Sequence, residues 1–423
     1  MTDRLLKDKH ILLGVTGGVA AYKAAFLASR LSQAGAVVDV VMTEAAARFV
    51  TPLTFEAVTR RAVHTDLFDL PAGGGPETPA GEPPVDQGDG RYIPHVALAR
   101  AADLLVIAPA TANTLAKLAH GQADNLLTAL ALACRAPLLI APAMESGMWA
   151  HPATQANVAT LLARGAALVG PATGHLASGA SGAGRMSEPD EILDMARLVL
   201  ARGGEWAGRR VVVSAGGTHE AIDPVRFIGN RSSGKMGFAL ASAARDRGAS
   251  VTLVAAATAL PDLPGVQMVH VESAGEMCQA VLAACAQADV LVMAAAVADY
   301  RPAQAAPQKI KKTGEALALE LTRTPDILAE VARQRADGRA PRVTVGFAAE
   351  TEDLLTNARA KLKSKQLDLI VANDVSAPDS GFEVDTNRAT LLWADGRTES
   401  LPLMTKQELA DTIWEQLRQL TAS

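Results

Sequence analysis

The sequence predicts an α/β protein made of two successive Rossmann-like domains, each with a parallel sheet. Three observations carry that expectation. Apolar runs of strand length alternate with stretches of helical apolar spacing. Two of those runs, ILLGVTGG and VVVSAGG, turn on a glycine pair. The pattern of the first half also recurs in the second: RRVVVSAGG parallels KHILLGVTGG, RDRGASVTLVAAAT parallels SQAGAVVDVVMTEA, and ADVLVMAAAVADY parallels ADLLVIAPATANT. A chain of 423 residues exceeds one hydrophobic core in any case. The seam falls in Ala201 to Arg210, ARGGEWAGRR, and divides domains at 1–200 and 201–423.

Composition narrows the function. Hydrophobic residues make up 49% and aromatic residues 4%, which suits close helix–sheet packing through alanine. A net charge of −5 argues against a general nucleic-acid binder. Cys134, Cys278 and Cys285 lie apart without metal-ligand spacing, and their odd number fits a reducing cytosol, so a cytoplasmic location is expected. The N-terminus runs into a strand without a long apolar stretch, and no apolar run is long enough to span a bilayer uninterrupted.

In the first half, His10 to Val15 reads as a buried strand, Thr16, Gly17 and Gly18 as a turn, and Val19 to Ala34 as a helix. VVDVVMT is a second strand ending at Thr43, completing a right-handed βαβ unit. The loop is GVTGG and not GxGxxG, and Thr43 with Glu44 after it replaces the acid that an NAD ribose requires at the strand end. Hydroxyls at Thr16 and Thr43 point to a mononucleotide phosphate; a purely structural glycine turn is the competing reading. Leu70 to Arg91 is rich in Pro, Gly and acid and reads as a disordered surface insertion, with ordered sequence resuming at Tyr92. Ala101 to Ala108 is the next strand, and Thr111, Asn113 and Thr114 lie past its carboxyl end, where open α/β sheets bind ligands. Asn113 or Thr114 could cap the following helix. One cap does not explain the whole polar cluster with Asp124 and Asn125. APLLIAPAM is a strand ending at Met144, Ala166 to Val169 a short one, and GPATGHLASGASGAGRM a glycine-rich flap before a helix from about Pro189.

In the second half, Val211 to Gly237 runs from a buried strand through Gly216, Gly217 and a loop bearing Arg226, Asn230 and Arg231 to the helix pattern Phe238, Leu240, Ala241, Ala244. Strand, glycine-rich loop and helix in that order make an anion site from free N–H groups and the helix dipole. GNRSSGKM mimics a P-loop but carries Met236 where Mg²⁺ needs Ser or Thr, and it follows a long loop instead of a strand. No acid ends the second strand here either. Asp299 and Tyr300 end VLVMAAAVADY; Lys309, Lys311 and Lys312 follow, and Lys361 and Lys365 share one helix face. A lysine run is by default a solvated face. Loops after strands of one parallel sheet converge on one edge, however, which favours a nucleoside triphosphate site.

These motifs resemble one family over residues 10 to 415, the insertion excepted: the bifunctional phosphopantothenoylcysteine decarboxylase/phosphopantothenate–cysteine ligases of bacterial coenzyme A synthesis. The matching stretches are GVTGGVAAYK, IPHV, APATANTLAK, PAM with MW, GAGRM, SAGGT, SSGKMG, AAAVADY, KIKK, PDIL, GFAAET and ANDV. The resemblance implies a flavodoxin-like flavoprotein half that holds FMN at Thr16, Gly17, Gly18, Thr43, Thr111, Asn113 and Thr114. It implies a C-terminal half that uses CTP and Mg²⁺ to turn 4'-phosphopantothenate into an acyl-cytidylate, which L-cysteine attacks to displace CMP. CTP would lie on Met293, Ala294, Ala295, Asp299, Lys309, Pro325, Asp326, Ile327, Leu328, Phe347, Lys361 and Lys365. Asn230 would steady the acyl-cytidylate, Arg226 would hold the substrate phosphate, and the metal ligands stay unknown. In the first half His95 would be the base, with a core or capping histidine as the bland reading. The resemblance further implies a homo-oligomer, a dodecamer of trimeric flavoprotein and dimeric ligase contacts, with no membrane or nucleic-acid partner.

Two residues depart from the family pattern. PAMN reads PAME, so Glu145 replaces an amide that meets the substrate carboxylate, and an ionised Glu repels it unless protonated or turned away. The flap cysteine, the family's proton donor, is Ser178, a far weaker acid. An active decarboxylase is expected, since His95 and the FMN loops are present; an active ligase with a slow or degenerate flavoprotein half is the alternative. A nicotinamide oxidoreductase lacks its ribose acids. A flavin binder without catalysis would show no CTP-dependent ligation.

Overall fold

The computed structural model describes residues 5–67, 94–311, 317–338, 341–350, 353–374 and 384–421. The chain separates into two compact units, Met1–Ala201 and Arg202–Ser423.

The first unit runs β1 (His10–Val15), α1 (Ala21–Gln33), β2 (Val37–Met42), α2 (Glu44–Ala47), α3 (Pro52–Thr59), β3 (Val63–His64), α4 (Pro94–Ala101), β4 (Leu104–Ala110), α5 (Ala112–His120), α6 (Leu126–Ala133), β5 (Leu138–Pro142), α7 (Ser146–Ala150), α8 (Pro152–Ala163), β6 (Ala167–Leu168), β7 (Ala172–His175), β8 (Ser181–Arg185) and α9 (Pro189–Ala201). Its six strands lie in the order β3-β2-β1-β4-β5-β6, all parallel. That is the Rossmann order; a flavodoxin sheet runs 2-1-3-4-5, so the flavodoxin-like detail gives way within the expected α/β parallel class. In both orders the ligand crevice opens where the winding reverses, here between β1 and β4.

A central parallel strand is covered on both faces, so it reads as a continuous apolar run. Successive residues of β1 serve two cores. Ile11, Leu13 and Val15 join the core with α1 and α9, and Leu12 joins the core with α5 and α6. Each fully buried aliphatic side chain contributes about 1.5–3 kcal/mol. The expected insertion at 70–91 lies outside the described residues.

The second unit runs β9 (Arg210–Ala215), β10 (His219–Ala221), β11 (Phe227–Gly229), α10 (Lys235–Arg245), β12 (Ser250–Ala255), β13 (Gln267–His270), α11 (Ala274–Cys285), β14 (Val290–Met293), β15 (Tyr300–Pro302), β16 (Leu321–Arg323), α12 (Ile327–Ala336), β17 (Val343–Glu350), α13 (Leu354–Ser364), β18 (Leu369–Asp374), β19 (Thr386–Asn387), β20 (Ala389–Trp393), β21 (Thr398–Ser400), β22 (Met404–Thr405) and α14 (Lys406–Thr421). Its sheet order is β13-β12-β9-β14-β17-β18-β20-β21, the same winding with an antiparallel pair added at one edge. Val211, Val213 and Ala215 face α10 and α14, while Val212 faces α11 and α12. Trp414 seals the first of these cores, edge-on to Trp206 at 4.9 Å, its indole N–H bonded to the Leu240 carbonyl at 2.9 Å. The loop expected after Gly217 contains an antiparallel hairpin, β10–β11.

The repeat extends to single atoms. The aspartate of each ADLLV or ADVLV stretch accepts the first N–H of its unit's first strand: Asp103 from His10 and Asp289 from Arg210, both at 2.9 Å. These carboxylates fasten the amino-terminal sheet edges and leave the carboxyl-terminal edges to the loops.

Candidate functional site

In the first unit the predicted cofactor residues converge at the carboxyl ends of β1, β2 and β4. The structure gives most of their hydroxyls a structural task. Thr16 is buried; its hydroxyl donates to the Pro109 carbonyl at 2.6 Å and accepts the Thr111 N–H at 3.1 Å, tying the tips of β1 and β4 together. Thr43 caps α2 and Thr111 caps α5, so the cap expected at Asn113 or Thr114 sits at Thr111. Thr114 is buried with its hydroxyl 3.1 Å from that of Thr111, and Asn113 is exposed on the first turn. Asn125 caps α6 in a capping box and Asp124 pairs with Lys117 at 2.7 Å, so capping and one ion pair account for that polar cluster.

The glycines divide the work. A Cβ on Gly17 would stand 2.4 Å from the Cβ of Ala45, so Gly17 lets α2 close onto the turn. A Cβ on Gly18 would meet only the Thr111 methyl at 3.8 Å, so that position borders open space. Beyond it, α1 starts at Ala20 with no side-chain cap. An uncapped N-terminus behind a turn facing open space fits a phosphate.

His95 stands in the first turn of α4 and not at a strand start; its side chain lies outside the described residues. The flap is the β7–β8 hairpin, docked where the Met144 N–H meets the Gly184 carbonyl at 3.0 Å. Ser178 sits exposed at its tip. Glu145 caps α7: Oε2 accepts the Gly147 N–H at 2.6 Å and Oε1 the Ser146 hydroxyl at 2.8 Å. The Ser146 hydroxyl first and the Gly147 amide next hold this carboxyl below its usual range. Glu145 is therefore ionised and turned onto the helix.

In the second unit a cavity of about 1020 Å³ opens over the carboxyl ends of β14, β17 and β18. It gathers Asn230, Met293 to Ala295, Asp299, Pro325 to Leu328, Phe347, Lys361 and Lys365, residues drawn from sequence positions more than a hundred apart. Lys361 donates to the Phe347 carbonyl at 2.8 Å, and Lys365 pairs with Asp326, which also caps α12. Asn230 donates to the Val297 carbonyl at 2.9 Å. The N-terminus of α10 borders the same space through Gly234, again without a side-chain cap. Gly237 has the packing duty here, since its Cβ would fall 2.5 Å from that of Ala215.

Lys309 and Arg226 are not among the lining residues. Lys309 is exposed. Arg226 is bound to Asp223 at 2.5 Å and donates to the Ile310 carbonyl at 2.9 Å. Asp223 also accepts the Ile310 N–H at 3.1 Å, so one buried carboxylate clamps the segment next to Lys309. The Arg226 guanidinium holds Asp223 well below the usual carboxylate range. Sequence reasoning missed Arg323, Asn373, Asn387 and Lys406, which line the cavity. Lys406 lies on the last helix, far from any glycine loop, with no local signal to mark it.

Residues 206–420 match the family model for the DNA/pantothenate metabolism flavoprotein C-terminal domain, and residues 2–200 match that for flavoproteins. The chain is 49% identical to a Mycobacterium tuberculosis protein, coenzyme A biosynthesis bifunctional protein CoaBC, over 98% of this chain and 97% of that one. It is 43% identical to the Bacillus subtilis protein of that name, over 99% and 98%. A crystal structure of the C-terminal domain of a CoaBC protein covers 51% of this chain and 96% of its own at 39% identity, with a TM-score of 0.43.

Proposed function

The chain belongs to the CoaBC family of bifunctional coenzyme A biosynthesis enzymes, with a flavoprotein decarboxylase half and a ligase half, and from that premise we propose how its residues divide the chemistry. Residues 201–423 form the CTP-dependent phosphopantothenate–cysteine ligase. Residues 1–200 form the FMN-dependent phosphopantothenoylcysteine decarboxylase.

The cavity of the second unit is the observation that carries the ligase reading. CTP lies along Met293 to Ala295, Pro325 to Leu328 and Phe347, with Lys361 and Lys365 toward its phosphates. The substrate carboxylate attacks the α-phosphorus and pyrophosphate leaves; the cysteine amine then attacks the acyl carbon, loses a proton and expels CMP. Asn230, a neutral donor lining the cavity, stabilises the acyl-cytidylate without forming an ion pair that would slow its release. In this reading Mg²⁺ would enter on the triphosphate and would spread its charge. Lys309 neutralises phosphate charge, and the Asp223–Arg226 clamp positions its segment.

In the first unit Gly17, Gly18 and the N-terminus of α1 take the FMN phosphate, with Thr43, Thr111, Asn113 and Thr114 around it. Bound FMN supplies two-electron oxidation of the cysteinyl side chain, after which carbon dioxide is lost, and returns the hydride. His95 acts as base, and Ser178 relays a proton from water to the ene-thiolate carbon that has lost carbon dioxide. Glu145 keeps its charge on α7, which lowers its repulsion of the substrate carboxylate. The chain works as a homo-oligomer, with a dodecamer as the form that sedimentation would detect.

The test is mass analysis after incubation of the full chain with phosphopantothenate, cysteine, CTP and Mg²⁺. Phosphopantetheine, CMP and carbon dioxide together support both halves. Accumulated phosphopantothenoylcysteine leaves the ligase and makes the first unit a degenerate flavoprotein. Absence of CMP refutes the ligase reading.

A further inference from the structure

One carboxylate ties the flap of the first unit to its first helix. Lys23 stands in the first turn of α1 and is 9% exposed. A cation is disfavoured there on two counts, because burial strips its hydration and the helix dipole is positive at that end. The first turn of α1 holds no acidic residue to offset it. The offset comes from the foot of the flap: Lys23 Nζ donates to Glu188 Oε1 at 2.7 Å and to the Met186 carbonyl at 3.3 Å.

Glu188 follows the end of β8 by three residues. Its Oε1 also accepts from Arg185 Nη2 at 3.0 Å. Arg185 is the last residue of β8 and pairs with Ala172 at the start of β7, where the ladder shifts register. A Cβ on Gly174 would stand 2.9 Å from Arg185 Nη1 and 3.0 Å from its Cδ, so Gly174 leaves room for the arginine to cross onto β7. The arginine thereby spans both strands of the hairpin at their base. Lys23 most, and Arg185 after it, hold the Glu188 carboxyl below its usual range. Met186 and Ser187 are buried between the two cations' anchor points, and the Glu188 N–H is bonded to the Glu191 carboxylate of α9 at 2.9 Å.

Resting on the decarboxylase reading, we propose that Glu188 is a positioning residue for decarboxylation: the Lys23–Glu188–Arg185 latch fixes the flap to the helix whose start takes the cofactor phosphate, and so sets where Ser178 stands. A hairpin docked only through the Met144 N–H and the Gly184 carbonyl, 3.0 Å apart, can rock about that bond. The latch adds a second fixed point at the foot and makes the flap and α1 one rigid piece. Its weight in the chemistry is positional, since a misplacement of about 1 Å at a reacting group costs on the order of 100-fold in rate.

Two measurements on the full chain test the latch: carbon dioxide release from phosphopantothenoylcysteine by the flavin-loaded protein, and hydrogen exchange at the Met144 amide of the flavin-free protein. Glu188→Gln keeps the side chain's shape and an acceptor for Lys23 but removes the charge. It is expected to lower kcat roughly 10- to 100-fold with a smaller change in KM, and to speed Met144 exchange roughly 10-fold, the weight of a lost charge-assisted bond. Tm, flavin content and CMP release by the second unit should hold. Arg185→Met, which frees the hairpin but leaves Lys23 paired, should give a smaller shift in the same two readouts, and it carries the test should Glu188→Gln not fold. A merely structural carboxylate would lower Tm and activity together and leave Met144 exchange relative to Tm unmoved; that result, or wild-type kcat and exchange in Glu188→Gln, overturns the proposal. A wild-type chain that releases no carbon dioxide refutes the decarboxylase reading itself, and the exchange measurement then decides the latch alone.

Discussion

Adjacent glycines in the first turn should fail in different ways when each is given one methyl group. In Gly17→Ala the new carbon would lie 2.4 Å from the Cβ of Ala45 and 3.0 Å from its carbonyl carbon. Carbon contacts relax at about 3.5–4.0 Å, so the overlap is roughly 1 Å or more. Ala45 cannot retreat freely, because α2 is capped by Thr43, whose own N–H is bonded to Val15 at 3.0 Å. Overpacking of this kind costs about 1–3 kcal/mol, or roughly 2–12 °C in Tm for a unit of this size. In Gly18→Ala the methyl meets only Thr111 at 3.8 Å, and the backbone is not left-handed. The flavin-free stability of that variant should equal the wild type's or exceed it by about 0.4–1 kcal/mol. Its bound flavin should nevertheless fall, since the methyl occupies the space assigned to the phosphate. Calorimetry of flavin-free protein and flavin absorbance after reconstitution read the two effects separately. Equal Tm for both variants would refute the packing assignment. Full flavin occupancy in Gly18→Ala would refute the phosphate assignment.

Three further outcomes are expected. Lys361→Met should raise KM for CTP roughly 10-fold or more, because the Lys361 ammonium group lines the cavity beside the Phe347 carbonyl; an unchanged KM removes Lys361 from the nucleotide site. Asp223 has a depressed folded pKa, so its stabilisation is present above the unfolded value of about 3.9 and is lost as pH falls toward the folded value. The stability gap between wild type and Asp223→Asn should therefore be widest near neutral pH and narrow below about pH 4; a gap constant with pH in urea titrations would contradict this. Single-turnover decarboxylation should be measurable in the wild type and faster with Glu145→Asn plus Ser178→Cys; activity absent in the wild type and restored by the pair would make the first unit degenerate.

The fold was legible because its signal is local. Each central strand reads as an unbroken apolar run, and each first strand ends in a glycine turn. The residues expected to hold CTP, Lys309 excepted, line one cavity, since loops after parallel strands must gather at one edge. What the sequence could not resolve were polar residues with two possible partners. Thr16, Thr43 and Thr111 suit a phosphate by type, yet their hydroxyls bond the backbone, and only the geometry of each turn decides between those uses. Lys406 was illegible for the opposite reason. Its place in the cavity depends on α14 crossing back to α10, a contact between residues separated by most of the second unit.

The internal repeat explains why one architecture hosts two reactions. In both units a glycine permits a close approach beside the first strand, Gly17 of the turn to α2 at Ala45 and Gly237 of α10 to β9 at Ala215. In both the helix start carries no side-chain cap, at Ala20 and at Gly234. The scaffold therefore presents the positive end of a helix dipole twice without a side-chain cap, and an anion suits that position. The difference lies in what surrounds that anion. Around α1 the neighbouring side chains are hydroxyls already bonded to backbone, which form a neutral rim suited to a cofactor that stays bound. Around α10 the neighbours are Lys235, Lys361, Lys365 and Lys406, a strongly cationic lining suited to substrates that arrive highly charged and leave as smaller anions. Charge beside a shared helix terminus, more than the fold, separates the two halves' chemistry.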